Sequence, residues 1–274
     1  MAGLGLMMPF MSSRQPTFYV PHGGGPCFFM EDPQGNWTGM ERFLRELPAR
    51  LPERPSAILV VSGHWETRGG FALTAHPNPP LVYDYYGFPP HTYQLRYDAP
   101  GAPELAARAR DLLEGAGFKA GLDPERGYDH GVFVPLKVVY PEADIPVLEL
   151  SLERGLDPAL HLEAGRALAP LRDEGVLIIG AGMSFHNLRA LGDPRARDPS
   201  LAFDGWLEQS LTLPGPARAA ALQAWDSAPA ARICHPREEH LLPLMVAAGA
   251  ADGAGQRIYR EIVLQVAISG YRFD

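Results

Sequence analysis

The sequence predicts an α/β fold: a single domain with a central, largely parallel or mixed sheet flanked by helices. Its functional groups are expected at the C-terminal ends of the strands. Three observations carry this expectation. Strand-like and helix-like stretches alternate along most of the 274 residues, the pattern of a layered α/β domain. Several strand-like stretches are apolar without interruption, as strands covered on both faces must be. Finally, three of these strands run into turns that carry a histidine, in "FYVPHGGGP", "ILVVSGHW" and "LIIGAGMSFH", and open α/β sheets gather ligands beyond such strand ends.

Taken in order, "TFYV" at 17–20 reads as the first strand. Gly39 to Leu51 reads as a helix with Phe43, Leu44 and Leu47 on one face. Ala57 to Ser62 is a buried strand. "APELAARARDLLEGAG" is the clearest helix, with Pro103 near its start, a stripe of Leu105, Ala109, Leu112 and Leu113, and Gly115 and Gly117 to stop it. Residues 145–152 form a strand, "PALHLEAGRALAPLRDEG" a helix that stops at Gly175, and "VLIIGAGMSFH" a strand with a glycine-rich exit. "EEHLLPLMVAAGAA" is helical with Pro243 in its first turns. "EIVLQVAISGYRF" closes the chain as a strand. The stretch 77–101, rich in proline and tyrosine, breaks the alternation and reads as a lid or binding loop. No linker or internal repeat divides the chain. One catalytic domain is expected over 16–274, after a flexible N-terminal segment, 1–15, in which Met7, Met8 and Met11 leave the start residue open.

Composition narrows the function. With 46% apolar and 20% charged residues the chain can bury a sizeable core. A net charge of −8 and the lack of any Lys/Arg-rich run argue against a nucleic-acid partner. No run of about 20 apolar residues could span a bilayer, and "MAGLGLMMPFM" lacks the basic start and long apolar stretch of a signal peptide. A cytoplasmic protein is expected, as a monomer or small homo-oligomer. The two cysteines, Cys27 and Cys234, are too few for a disulfide scaffold and are expected to be neither bonded nor metal ligands.

The nine histidines differ in placement. His161 lies in an amphipathic helix, which suits a surface or half-buried role. His76 and His91 flank the tyrosine-rich loop and suit solvation. His235, after Cys234, is as readily structural as functional. His22, His64 and His186 share the strand-exit placement. Neutral imidazole is the commonest side-chain metal ligand near neutral pH, so three on separate strands point to a shared metal site, although spacing alone does not establish one. His130 sits in a turn between Gly127 and Gly131, beside Asp129, which could tune it. His240 begins a helix whose apolar face, with Leu241, Leu242, Leu244 and Met245, turns it toward the body of the protein.

Together, "VPHGGGP", "VVSGHWETRGG", "YDYYGFPPHTYQLRYDAPGAPELA", "GYDHGVFVPLKVVYPEADIPVLELSL", "GAGMSFHNLR" and "EEHLLPLMVAAGA" resemble class III extradiol ring-cleaving dioxygenases of the LigB-like superfamily, in the subgroup of 4,5-DOPA extradiol dioxygenase-like proteins. The resemblance runs from about residue 16 to the C-terminus. It implies a mononuclear non-haem metal site that cleaves a catechol, DOPA-like or another aromatic diol, with O2. Fe(II) is the metal expected for activity, and Zn(II) the metal that can occupy a purified sample. By motif, His22, His64 and His240 match ligands. Other branches use a carboxylate as third donor, and Glu239 adjoins His240. His186 matches an active-site base that also ligates in zinc-loaded members, and His130 matches a second acid–base histidine. "HGGGP" departs from the "HGSP" of many relatives and lengthens the first turn. Tyr83, Tyr85, Tyr86 and Phe88 are candidates to wall an aromatic ring.

The same histidines also suit a zinc-dependent hydrolase, in which a metal-bound water is the nucleophile. No HExxH motif or comparable local pattern supports that alternative. A structural metal in a binding protein is a third reading, and glycine-flanked, open histidines argue against it.

Overall fold

The computed structural model describes residues 13–274, so most of the expected N-terminal segment lies outside the described residues. Gln15 is already buried, its N–H donating to the Arg172 carbonyl. Among the described residues, no helix is long and apolar enough to cross a membrane.

Eight strands form one mixed sheet: β1 Thr17–Pro21, β2 Ala57–Thr67, β3 Phe71–Thr74, β4 Ala120–Asp123, β5 Val147–Glu153, β6 Val176–Gly182, β7 Gly255–Val263 and β8 Val266–Phe273. Their order is β4-β3-β5-β2-β6-β1-β8-β7. The centre, β5-β2-β6-β1, is parallel. Antiparallel pairing begins at β8 on one side and at β3 on the other. The helices are α1 Thr38–Glu46, α2 Pro103–Gly115, α3 His130–Val139, α4 Pro158–Leu168, α5 Arg197–Leu211, α6 Gly215–Gln223, α7 Ala231–Cys234 and α8 Leu242–Gly249. Helix α2 packs on α4, and α4 on α8, which lies against β1, β2 and β6. Helices α1 and α3 pack together, with α3 against β2 and β6. Ile58, Leu59, Val60 and Val61 of β2 and Leu177, Ile178 and Ile179 of β6 are buried between these layers, which explains their unbroken apolar runs.

The structure departs from the sequence reading in several places. Strand β2 does not end at Ser62 but continues to Thr67, with a register slip against β5 between Val61 and Glu66. His64 lies within that irregularity rather than after the strand, and bulges re-aim side chains in this way. The closing strand is a hairpin, β7 and β8, turning at Leu264 and Gln265, both with positive φ. Such two-residue turns normally carry Gly or Asn, so this one left no sequence signal. His130 is not in a turn. It opens α3, and Asp129 is the N-cap, its side chain accepting from the Gly131 N–H. That helix is apolar on nearly every face, Lys137 excepted, and contains Pro135, so neither periodicity nor propensity announced it. His161 is fully buried, donating from Nδ1 to the Asp157 carbonyl (2.7 Å) and accepting at Nε2 from Glu153 N–H (3.1 Å). Cys27 and Cys234 are unbonded and buried.

Candidate metal centre and active site

At the C-terminal ends of the parallel strands, five histidines surround one cavity of about 760 Å³. His22 follows β1 directly, its N–H held by the Gly182 carbonyl at the end of β6. His64 projects from the irregular part of β2, and its N–H lies 3.2 Å from Ser62 Oγ. His240 precedes α8. Its carbonyl accepts from Tyr19 Oη (2.8 Å) and Met183 N–H (3.1 Å). Two glycines make that approach possible: a Cβ on Gly63 would meet the Glu239 carbonyl, and one on Gly182 the His240 carbonyl. His186 lies beyond β6, and His130 faces the cavity from the first turn of α3.

The Nε2 atom of His64 lies 3.3 Å from Nε2 of His22 and 3.2 Å from Nε2 of His240. Imidazoles sharing one metal at bond lengths near 2.1 Å place their nitrogens about 3.0–3.4 Å apart. The protons make the same point. Nδ1 of His240 lies 2.9 Å from Glu239 Oε1, and a carboxylate only accepts, so its proton is on Nδ1 and Nε2 carries a lone pair. One nitrogen of His64 cannot donate to two neighbours at once. A cation satisfies all three, so the residues present fit a metal. Burial first, then mutual repulsion, holds His22 and His240 well below the ordinary histidine range and pushes His64 down to about 4. Neutral imidazoles are the form a metal requires.

The other two histidines are held by carboxylates. Asp84, from the irregular loop, lies 2.8 Å from His130 Nδ1 and accepts the His130 backbone N–H at 3.0 Å. Its second oxygen is 3.5 Å from His64 Nδ1. Burial raises the Asp84 pKa, but the bond to His130 and the nearby histidines outweigh it and leave the group below its usual value. Glu239 Oε1 lies 3.1 Å from His186 Nδ1 as well as near His240. The His186 ring stacks on His240, with centroids 3.3 Å apart and planes inclined by 16°. His186 therefore pairs with His240 and Glu239, while His130 lies with His22 and His64.

The sequence left it open whether Asp129, adjacent to His130, tunes it or points away. Asp129 accepts from Ser62 Oγ (2.7 Å), Gly131 N–H (3.0 Å) and Arg126 (2.9 Å). The carboxylate that holds His130 is Asp84. It went unnoticed because it lies 46 residues away in a loop without periodicity. The cavity wall includes Tyr85, Tyr86, Phe88, Trp37 and Leu188. Tyr83 is a loop anchor, its hydroxyl donating to the Leu95 carbonyl (2.6 Å). His235 is structural, its Nε2 3.0 Å from the Ser184 carbonyl. Cys27 Sγ accepts the Gly24 N–H and stays outside the histidine clusters.

An α/β domain with several histidines converging at its strand ends defines a metal-dependent enzyme class, and the comparisons with known proteins specify it. Residues 16–271 match the family described as the catalytic LigB subunit of aromatic ring-opening dioxygenase. The chain is 43% identical over 240 residues to a 4,5-DOPA dioxygenase extradiol of Beta vulgaris, covering 86% of each chain. It is 39% identical to the Escherichia coli protein of the same name, covering 88% of this chain and 87% of that one. A crystal structure of an uncharacterised Escherichia coli protein superposes with a TM-score of 0.76 at 31% identity, over 95% of this chain and all of the other. The chain thus belongs to the LigB family and is an aromatic ring-cleaving dioxygenase of the extradiol type. The zinc-hydrolase alternative is not favoured.

Proposed function

We propose that this enzyme opens the ring of a DOPA-like catechol with O2, using Fe(II) held by Nε2 of His22, His64 and His240. The observation that carries the reading is the placing of His64 Nε2 within 3.3 Å of the same atom on two other histidines. The cavity is of a size that holds drug-like ligands, more than a bare catechol needs, which leaves room for a substituent. The names of the relatives point to DOPA. Two buried, unpaired cysteines support a cytoplasmic setting.

When bound, the metal supplies the redox chemistry that lets O2 react with an aromatic ring. The chain's own residues handle protons and orientation. His186 and His130 each commit Nδ1 to a carboxylate, so each presents a basic Nε2. His186 takes the proton of one catechol hydroxyl at Nε2; His130 takes that of the other at its Nε2 and returns it to the opening ring. Tyr85, Tyr86 and Phe88 hold the ring by its faces and edges.

The test is protein prepared without air, loaded with Fe(II) and screened against catechols while O2 uptake and the yellow ring-opened product are followed. DOPA-like catechols should be turned over with matched O2 uptake. Loaded protein that consumes no O2 with any catechol would overturn the reading.

A further inference from the structure

Among the described residues, Glu239 is the one carboxylate whose single oxygen lies within hydrogen-bond distance of two imidazoles, 2.9 Å from His240 Nδ1 and 3.1 Å from His186 Nδ1. Neither partner is adjacent to the other in sequence, yet their rings lie parallel and in contact. Two flat rings stacked this way, each pointing a ring N–H at the same oxygen, cannot rotate independently. The backbone of Glu239 is also fixed, because its carbonyl packs against Gly63 of β2. Behind it, Arg237 lies 3.5 Å from the other Glu239 oxygen but spends its two-pronged bond on Glu66, at 2.5 and 2.6 Å. The Oε1 of Glu239 is thus left to the two histidines.

We propose that Glu239 is a positioning residue that couples metal binding to proton handling. One oxygen keeps both His240 and His186 in the Nδ1–H form, so both aim a lone pair on Nε2 into the cavity. The hold of His240 on the metal and the placing of His186 as base are therefore set by the same group. Carboxylates behind metal-binding histidines commonly fix ring orientation and tautomer. The new element is that this one serves a second, proton-handling imidazole at the same time. The proposal rests on the reading of the site given above.

The test uses Zn2+ alone as a diamagnetic probe, with two variants, Glu239→Ala and Glu239→Gln. Metal affinity is measured by chelator competition. The tautomers of His186 and His240 are read in the metal-free protein, from the 15N shifts of the imidazoles and their couplings to ring protons. Glu239→Ala should weaken Zn2+ binding on the order of 10–100-fold and shift His186 away from the Nδ1–H form. Glu239→Gln keeps an acceptor oxygen, so it should hold the tautomers largely in place with a smaller loss of affinity. It also keeps the side-chain volume should the alanine variant fold poorly. A merely structural residue would lower thermal stability without moving the His186 tautomer. An unchanged tautomer in both variants overturns the proposal, and so does a His186 shift with parental Zn2+ affinity, because it breaks the coupling. A parent protein that binds no Zn2+ overturns the reading of the metal site itself, a result distinguishable from a failure of Glu239.

Discussion

The two sides of the site are built differently. His64 stands on β2 and His22 directly after β1, central strands whose residues next to these positions are buried. His22 Nδ1 is buried without a hydrogen-bond partner, so its position is set by the sheet. His186 and His240 stand on connections outside the strands, and what fixes them is a shared carboxylate. His130 is intermediate, placed by a helix N-terminus and by Asp84. A rigid sheet can deliver an imidazole to a point by backbone geometry alone, whereas a loop needs a second group to aim the ring.

The largest effects are expected where the two sides meet. His64 is the imidazole whose Nε2 faces both His22 and His240. His64→Ala and His22→Ala should lose bound metal and ring-cleaving activity together, since each removes one of the proposed direct donors. Metal per chain, measured beside the catechol-cleavage rate, checks this. A His64→Ala protein with parental metal content would show that the convergence of Nε2 atoms is not a metal site.

A smaller, separable effect is expected on the carboxylate-held side. His130→Ala should keep near-normal metal content while turnover falls on the order of 10²–10⁴-fold, the usual worth of a general acid or base. Asp84→Asn should lose about 10-fold to 100-fold, as for other residues that orient a functional imidazole. The two rates, compared at saturating catechol with metal content matched, order the pair. If Asp84→Asn is as damaged as His130→Ala and also loses its metal, the 3.5 Å contact to His64 matters more than the hold on His130.

The same division explains what was legible in the sequence. The parallel core could be read because buried strands are uninterrupted apolar runs. His22 and His186 stood out because each follows such a run within a few residues. Their roles came from the resemblance, not from spacing. The carboxylates were harder. Glu239 was noticed only as a competing donor beside His240, and its contact with His186 spans more than 50 residues of chain. Asp84 lies in a stretch whose composition signals only a loop. Asp129 adjoins His130 yet points away, into the N-cap of α3. The short outer strands β3 and β4 carried too few residues for a period to register.

The smallest effect is on stability in acid, and it also tests how the strand-borne imidazoles are held. Burial first, and then neighbouring charge, pushes the His64 pKa down to about 4 in the folded chain, against about 6.5 when unfolded. Above pH 6.5 both states leave the ring neutral and pH has no effect through it. Between about 6.5 and 4 the unfolded chain takes up a proton that the folded chain refuses, so stability falls as pH falls. Below about 4 the folded ring also protonates and the loss levels off. His22 and His240 are shifted in the same direction, as is His161 outside the site. In metal-free protein, His64→Gln removes one of these titrations while keeping a neutral polar side chain. Denaturant melts at pH 7.5 and 4.5 should show a drop smaller than the parent's by on the order of 2 kcal/mol. Equal drops in parent and variant would mean that the His64 ring protonates in the folded state as easily as in the unfolded one, and that the sheet does not hold it neutral in readiness for a metal.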